Sequence, residues 1–145
     1  MNWTEAMAEV RTDGMNLRFC KPEFQRDESV VLTAVRQNYQ AFQFADRRLR
    51  ASEVVAAAAL SINEGCWEWL HPHLEFNPRF CKRMIQTISF RLIVDLPEMF
   101  KSDLEFLLET LEPVCYPHDA MTIIRHYLPR YRKREKRKAS KKRKA

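Results

Sequence analysis

An all-α fold is what this sequence predicts: a short α-solenoid of about five 25-residue helical units, a divergent C-terminal capping helix and a basic tail. Three observations predict it. Only two glycines, Gly14 and Gly65, occur in 145 residues, too few for the turns of a hairpin-rich barrel or sandwich. Good helix N-caps recur at a constant 25-residue interval, as Asn2, Asp27, Ser52, Asn77 and Ser102. Apolar columns share that period, and hydrophobic residues make up 46% of the chain, enough for a packed core.

The caps open the elements. Short polar side chains accept hydrogen bonds from the free N–H groups of a first helical turn. Behind them, Glu28, Glu53 and Asp103 complement the helix dipole, and Pro78 suits the first helical position. Eight residues after each cap come Val10, Val35, Leu60 and Ile85. Eleven after come the turn formers Asp13, Asn38 and Asn63, then Ile88, which breaks the pattern. Further columns hold Leu17/Phe19, Phe42/Phe44, Trp67/Trp69 and Leu92/Val94, then Phe24, Leu49, Leu74 and Met99.

Each unit therefore reads as a helix of about eleven residues, a turn at the Asp/Asn column and a second, shorter helix. Segment Asp27–Asn38 places Val31, Ala34 and Val35 on one face, and Ser52–Asn63 places Val55, Ala59 and Leu60 there. A single unit of this size cannot bury its apolar face, so the units are expected to stack.

The stretch Val30–Ser52 resembles a unit of a tandem helical repeat family of unknown function, whose pattern runs V-L-x-A-V-x-x-N-G-x-A-L-x-Y-A-x-x-x-L-R-x-D. Val31, Leu32, Ala34, Val35, Asn38, Ala41, Phe42, Phe44, Ala45, Leu49 and Arg50 fall on its positions, and Tyr39 replaces its glycine. The resemblance extends more loosely over about Asn2–Lys101. It implies a helical array and supplies no activity.

From Ser102 the register decays. Ser102–Glu112 is an acidic amphipathic helix with Leu104, Leu107, Leu108 and Leu111 expected inward. Pro113 and Pro117 interrupt the chain, and Asp119–Leu128 reads as a final helix that Pro129 ends or kinks. The expected division is a helical domain over 1–128 and a tail over 129–145.

The chemistry of sites is thin. Phosphate-cradling loops need clustered glycines, which are missing. Cys66, His71, His73 and Cys81 supply zinc-type donors, but their spacing fits no common finger, and Cys81 shares a column with Val31 and Ala56. Phe42, Phe44, Trp67 and Trp69 suggest a stacking platform, yet a core role explains them together, with one of each pair free to face outward. No nucleophile motif frames a serine or cysteine, and Glu105/Glu109 reads as solvated charge. No enzyme, metal, cofactor or small-molecule substrate is expected.

Charge carries the functional expectation. Of the chain's 25 basic and 19 acidic residues, the tail holds 11 and 1, leaving a body of 14 and 18, net −4. Seven acids between Ile93 and Ala120 stand against one base, Lys101, while Arg47, Arg48 and Arg50 make a smaller basic spot. Arg130, Arg132, Lys133, Arg134, Lys136, Arg137, Lys138, Lys141, Lys142, Arg143 and Lys144 are the expected nucleic-acid contacts, by counterion release.

The expected protein is a non-catalytic scaffold that binds a protein partner through its body and nucleic acid, RNA before DNA, through its tail. The competing reading makes KREKRK and KKRK a nuclear import address without nucleic-acid binding. The longest apolar run, Val54–Leu60, is too short to span a bilayer, and the N-terminus lacks an apolar signal core. Four scattered cysteines without export signal point to a reducing, intracellular setting: the nucleus or a ribonucleoprotein compartment.

Overall fold

The computed structural model describes residues 1–127 with 140 and 143, and over them it is predominantly helical with no strand. The elements are α1 (Trp3–Thr12), α2 (Pro22–Gln25), α3 (Glu28–Gln37), α4 (Arg47–Arg50), α5 (Glu53–Ile62), α6 (Pro72–Glu75), α7 (Pro78–Thr87), α8 (Glu98–Lys101), α9 (Leu104–Leu111) and α10 (Pro117–Tyr127). Four 3₁₀ segments lie between them, at Gly14–Phe19, Tyr39–Phe44, Glu64–Trp69 and Phe90–Asp95.

Local chemistry explains the boundaries. Asn2 caps α1 through a reciprocal pair in which its Oδ1 accepts the Glu5 N–H at 2.9 Å and Glu5 Oε2 accepts the Asn2 N–H at 2.8 Å. Asp27 Oδ1 accepts the Val30 N–H at 3.0 Å, and Asn77 Oδ1 accepts from Arg79 and Phe80. Ser52, expected to cap α5 in the same way, makes no side-chain cap bond.

The helices also end on one device. Asp13, Asn38 and Asn63 leave the helix in extended conformation, with φ of −148°, −149° and −150°. Each then turns its side chain onto the N–H two residues on, at 2.9, 3.0 and 2.8 Å, and so opens the following 3₁₀ segment. Tyr39, where the resembling family has glycine, follows Asn38 in this same turn.

The expected second helix is split in two. A six-residue 3₁₀ segment comes first, then a break, then a four-residue α-helix. Proline supplies the physical reason at three of the four breaks. Residues preceding Pro22, Pro72 and Pro97 are pushed out of helical backbone. Pro22 and Pro72 then open α2 and α6, where the ring's fixed φ suits the first helical position, while Pro97 stands one residue before α8 as its cap. At the fourth, Asp46 caps α4 by accepting the Arg48 N–H at 3.0 Å.

A second difference begins after α7. The turn former missing at Ile88 stands one residue later as Ser89, whose Oγ accepts the Arg91 N–H at 3.2 Å. One extra residue has entered, and everything beyond shifts by one. The buried column is carried by Ile93 and Phe100, whereas Val94 is 60% and Met99 58% exposed. Asp103, not Ser102, caps α9, accepting the Phe106 N–H at 3.1 Å, and the Ser102 hydroxyl donates to the Glu98 carbonyl at 2.8 Å. Inside α9 the buried residues are Phe106, Leu107, Thr110 and Leu111, so Leu104 and Leu108 are less buried than expected. The final helix starts at Pro117, two residues earlier than expected.

The chain forms two compact units, residues 1–84 and 85–145. In the first, Val10, Val35 and Leu60 occupy one buried column and Leu17, Phe42 and Trp67 another. Segments 25 residues apart are joined by backbone: the Asp46 N–H donates to Gln25 O at 2.9 Å, and the His71 N–H to Arg50 O at 3.2 Å. Arg83 pairs with Glu53.

Gly14 is buried where the first 3₁₀ segment meets α3; a Cβ there would lie 2.2 Å from the Ala34 carbonyl oxygen. In the second unit, Phe100 stacks on Phe106 at 4.8 Å, and the Thr110 hydroxyl donates to Phe106 O. Gln86 Nε2 donates to the carbonyls of Glu109 and Thr110 near the end of α9.

Candidate functional site

Most of the sequence-derived nucleic-acid residues lie outside the described residues: Arg130, Arg132, Lys133, Arg134, Lys136, Arg137, Lys138, Lys141, Lys142 and Lys144. Arg143 is described, and it is helical and exposed.

The zinc-type quartet divides into two kinds of side chain. Cys66 and Cys81 are buried in the first unit, and their thiols lie near the carbonyls of Tyr39 and Glu75. Burial pushes the Cys66 thiol up to about 11 and the Cys81 thiol up to about 12, with Glu75 adding to the latter. His71 and His73 stand at the entry to α6, outside the core. Among the described residues no group of three His, Cys, Asp or Glu is placed to hold a metal ion.

The paired aromatics separate as their positions allow. Phe42 and Trp67 are buried, Phe44 and Trp69 half-buried, and Phe19, in the corresponding position of the first 3₁₀ segment, is exposed with the Arg18 guanidinium 4.4 Å from its ring. The register shift puts Asp95 in that position of the fourth segment. The basic spot lies alongside. Arg47 Nε donates toward His71 Nε2 at 2.8 Å, and Arg50 Nη1 donates to the Trp69 carbonyl at 3.5 Å. Arg47 and Arg48 are exposed.

One feature was missed in the sequence. The second unit contains a groove of about 430 Å³ between the fourth 3₁₀ segment and α10. Phe90, Arg91, Ile93 and Val94 form one side; Thr122, Ile123, His126 and Tyr127 form the other. Lys101 fixes both sides: its ammonium donates to Val94 O at 3.3 Å, lies 5.8 Å from the Tyr127 ring centre and pairs with Glu98 at 2.7 Å. A strict 25-residue count places Val94 in a core column, which concealed the groove. Ser89 was the available signal, as the turn former one position late.

The arrangement can bind apolar groups beside a guanidinium. No helix among the described residues is long and apolar enough to cross a membrane.

The family match lies within the first unit. A family described as a domain of unknown function (DUF4116) matches residues 8–50, from within α1 to the end of α4. This stretch includes most of Val30–Ser52, and the family carries no assigned activity. No curated protein and no solved structure matches the chain.

Proposed function

We propose that this chain is a non-catalytic helical-repeat adaptor, whose body binds a protein partner and whose tail binds nucleic acid, RNA before DNA. The observation that carries the reading is the charge division: a body of net −4 joined to a tail with eleven cations and one acid. A polycation on a phosphate backbone gains affinity by releasing counterions, while an acidic body is repelled by it, so the two tasks separate along the chain. The repeat half of the proposal, a stacked α-solenoid, draws on ten-residue helices starting at 3, 28, 53 and 78 and on the equivalent Asp46–Gln25 and His71–Arg50 backbone bonds. The setting proposed with it is intracellular, in the nucleus or a ribonucleoprotein compartment.

Removing residues 130–145 tests the tail. RNA binding and its steep salt dependence are expected to vanish, with thermal stability nearly unchanged. A truncated body with the same slope of log K against log salt overturns the reading. The clustering of KREKRK and KKRK favours a second reading, nuclear import. In that case the tail fused to a reporter accumulates in nuclei, while the purified protein has no affinity for RNA beyond that of any polycation.

A further inference from the structure

We propose that the groove between the fourth 3₁₀ segment and α10 is the protein-binding site of the body, and that its occupant is an acidic amphipathic helix of a partner protein. This deepens the adaptor reading and rests on it. Three observations lead to that occupant.

The first is apolar surface open to solvent. Phe90 is 44% and Val94 60% exposed, although Ile93 between them is buried. Ile123 and Tyr127 stand one turn apart on α10 and offer aliphatic and aromatic surface opposite. Clefts that combine apolar walls with few polar groups are the usual binding sites of proteins.

The second is size. The α10 side runs from Thr122 to Tyr127, roughly 7 Å along a helix at 1.5 Å per residue. Apolar side chains at i and i+4 on one face of a docking helix lie about 6 Å apart. The groove thus accepts two such anchors, as helix-in-groove recognition requires.

The third is charge. The groove-lining residues include Arg91 and His126 and no carboxylate. The Arg91 side chain is exposed and presents a cationic guanidinium with its fork of N–H donors. Lys101 is already paired with Glu98 and holds Val94 O, so the exposed charge at the groove comes from the Arg91 guanidinium, with the His126 ring beside the Tyr127 end. Carboxylates flanking the anchors of the incoming helix meet these groups, whereas lysines there are repelled.

The test uses the full chain with labelled Ile and Val methyl groups. Two synthetic helices serve as probes, both with leucines on one face, one carrying glutamates and the other lysines on the opposite face. Readings are taken at physiological ionic strength, where a shift confined to the groove's methyl groups separates binding there from attraction to the basic tail. The glutamate helix is expected to shift the methyl resonances of Ile93, Val94 and Ile123 and to leave Val10 and Val30 unmoved. Val94→Glu is expected to weaken it by at least about tenfold, and Arg91→Glu to reverse the preference between the two helices.

The proposal is overturned if the shifts fall elsewhere, if Val94→Glu binds as the wild type does, or if the lysine helix binds equally well. It is also overturned if a free fatty acid fills the groove and the glutamate helix does not displace it. An inert groove beside a tail that still binds RNA removes this site alone. A groove that takes the helix beside a tail indifferent to RNA removes the nucleic-acid half of the adaptor reading instead.

Discussion

Arg47 Nε points at His71 Nε2 from 2.8 Å, while the backbone N–H of His73 is directed at the other ring nitrogen, His71 Nδ1, from 3.0 Å. Both neighbours are donors, and a neutral imidazole has one lone-pair nitrogen to offer them. An imidazolium has none, so protonation loses the α6 cap and faces Arg47. Partial burial, followed by the charges of Arg47, His73 and Arg50, accordingly lowers the His71 pKa below its ordinary 6.5.

This relationship makes stability depend on pH. With the folded value depressed, the unfolded chain takes up the proton first, so the His71 contribution is present above pH 6.5 and is lost as pH falls below it. His71→Asn keeps a side-chain oxygen at the cap. It is expected to match the wild type at neutral pH and to lose less stability on acidification. Urea midpoints across that range check this; parallel pH profiles for the two proteins would refute it.

Gly14→Ala is expected to destabilise the first unit by about 1–3 kcal/mol. The added methyl meets a backbone carbonyl, Ala34 O, at 2.2 Å, and α3 would have to move away. Gly65→Ala meets only the end of the Asn63 side chain, at 2.9 Å, and is expected to change stability by about 0.5 kcal/mol or less. Neither glycine has positive φ, so the contrast isolates close approach from backbone strain. Denaturant midpoints of the two variants decide it.

Through α7, the sequence made the architecture readable because one residue type did one job at each position. Asn2, Asp27 and Asn77 cap helices, and Asp13, Asn38 and Asn63 end them. Val10, Leu17, Val35, Phe42 and Leu60 fill the core between. Reading failed where a single residue was inserted. Periodicity assigns by counting, so one extra residue near Ile88 misplaced Val94, Met99 and Ser102 together. It also hid the groove, whose exposed Val94 looks like core on a fixed count. The division of the shorter helix escaped notice for a different reason: its break lies in the residues before Pro22, Pro72 and Pro97, a backbone effect that apolar spacing does not record.

The shift in register yields a direct pair of variants. Phe100 is 5% exposed and stacked on Phe106, so Phe100→Ala is expected to cost about 3–5 kcal/mol. Its neighbour Met99, 58% exposed, is expected to tolerate Gln within about 0.5 kcal/mol. Asp103→Ala removes the α9 cap at about 1 kcal/mol, against little for Ser102→Ala. Thermal or chemical unfolding of the four variants reads the register, and a larger loss at Met99 and Ser102 would restore the unbroken 25-residue count.

The four thiols provide a probe that needs no partner. All are free, and burial raises each of them above the ordinary 9.0. Because the thiolate is the reactive form, Cys66 at about 11 and Cys81 at about 12 should resist a disulfide reagent in mildly alkaline solution. Cys115, the one thiol that is not fully buried, is expected to be labelled first. Labelling of Cys66 and Cys81 should instead follow the opening of the first unit. The raised values also set an alkaline limit. The unfolded chain gives up these protons first, so the thiols' contribution to stability is intact below pH 9.0 and declines as pH climbs toward 12. Cys81→Ala is expected to flatten that decline, and its labelling partner Cys66 should then react at the rate of unfolding measured independently. Rapid native labelling of Cys66 would show that its contact with the Tyr39 carbonyl opens without the unit, contrary to a column packed as tightly as Val35 and Phe42.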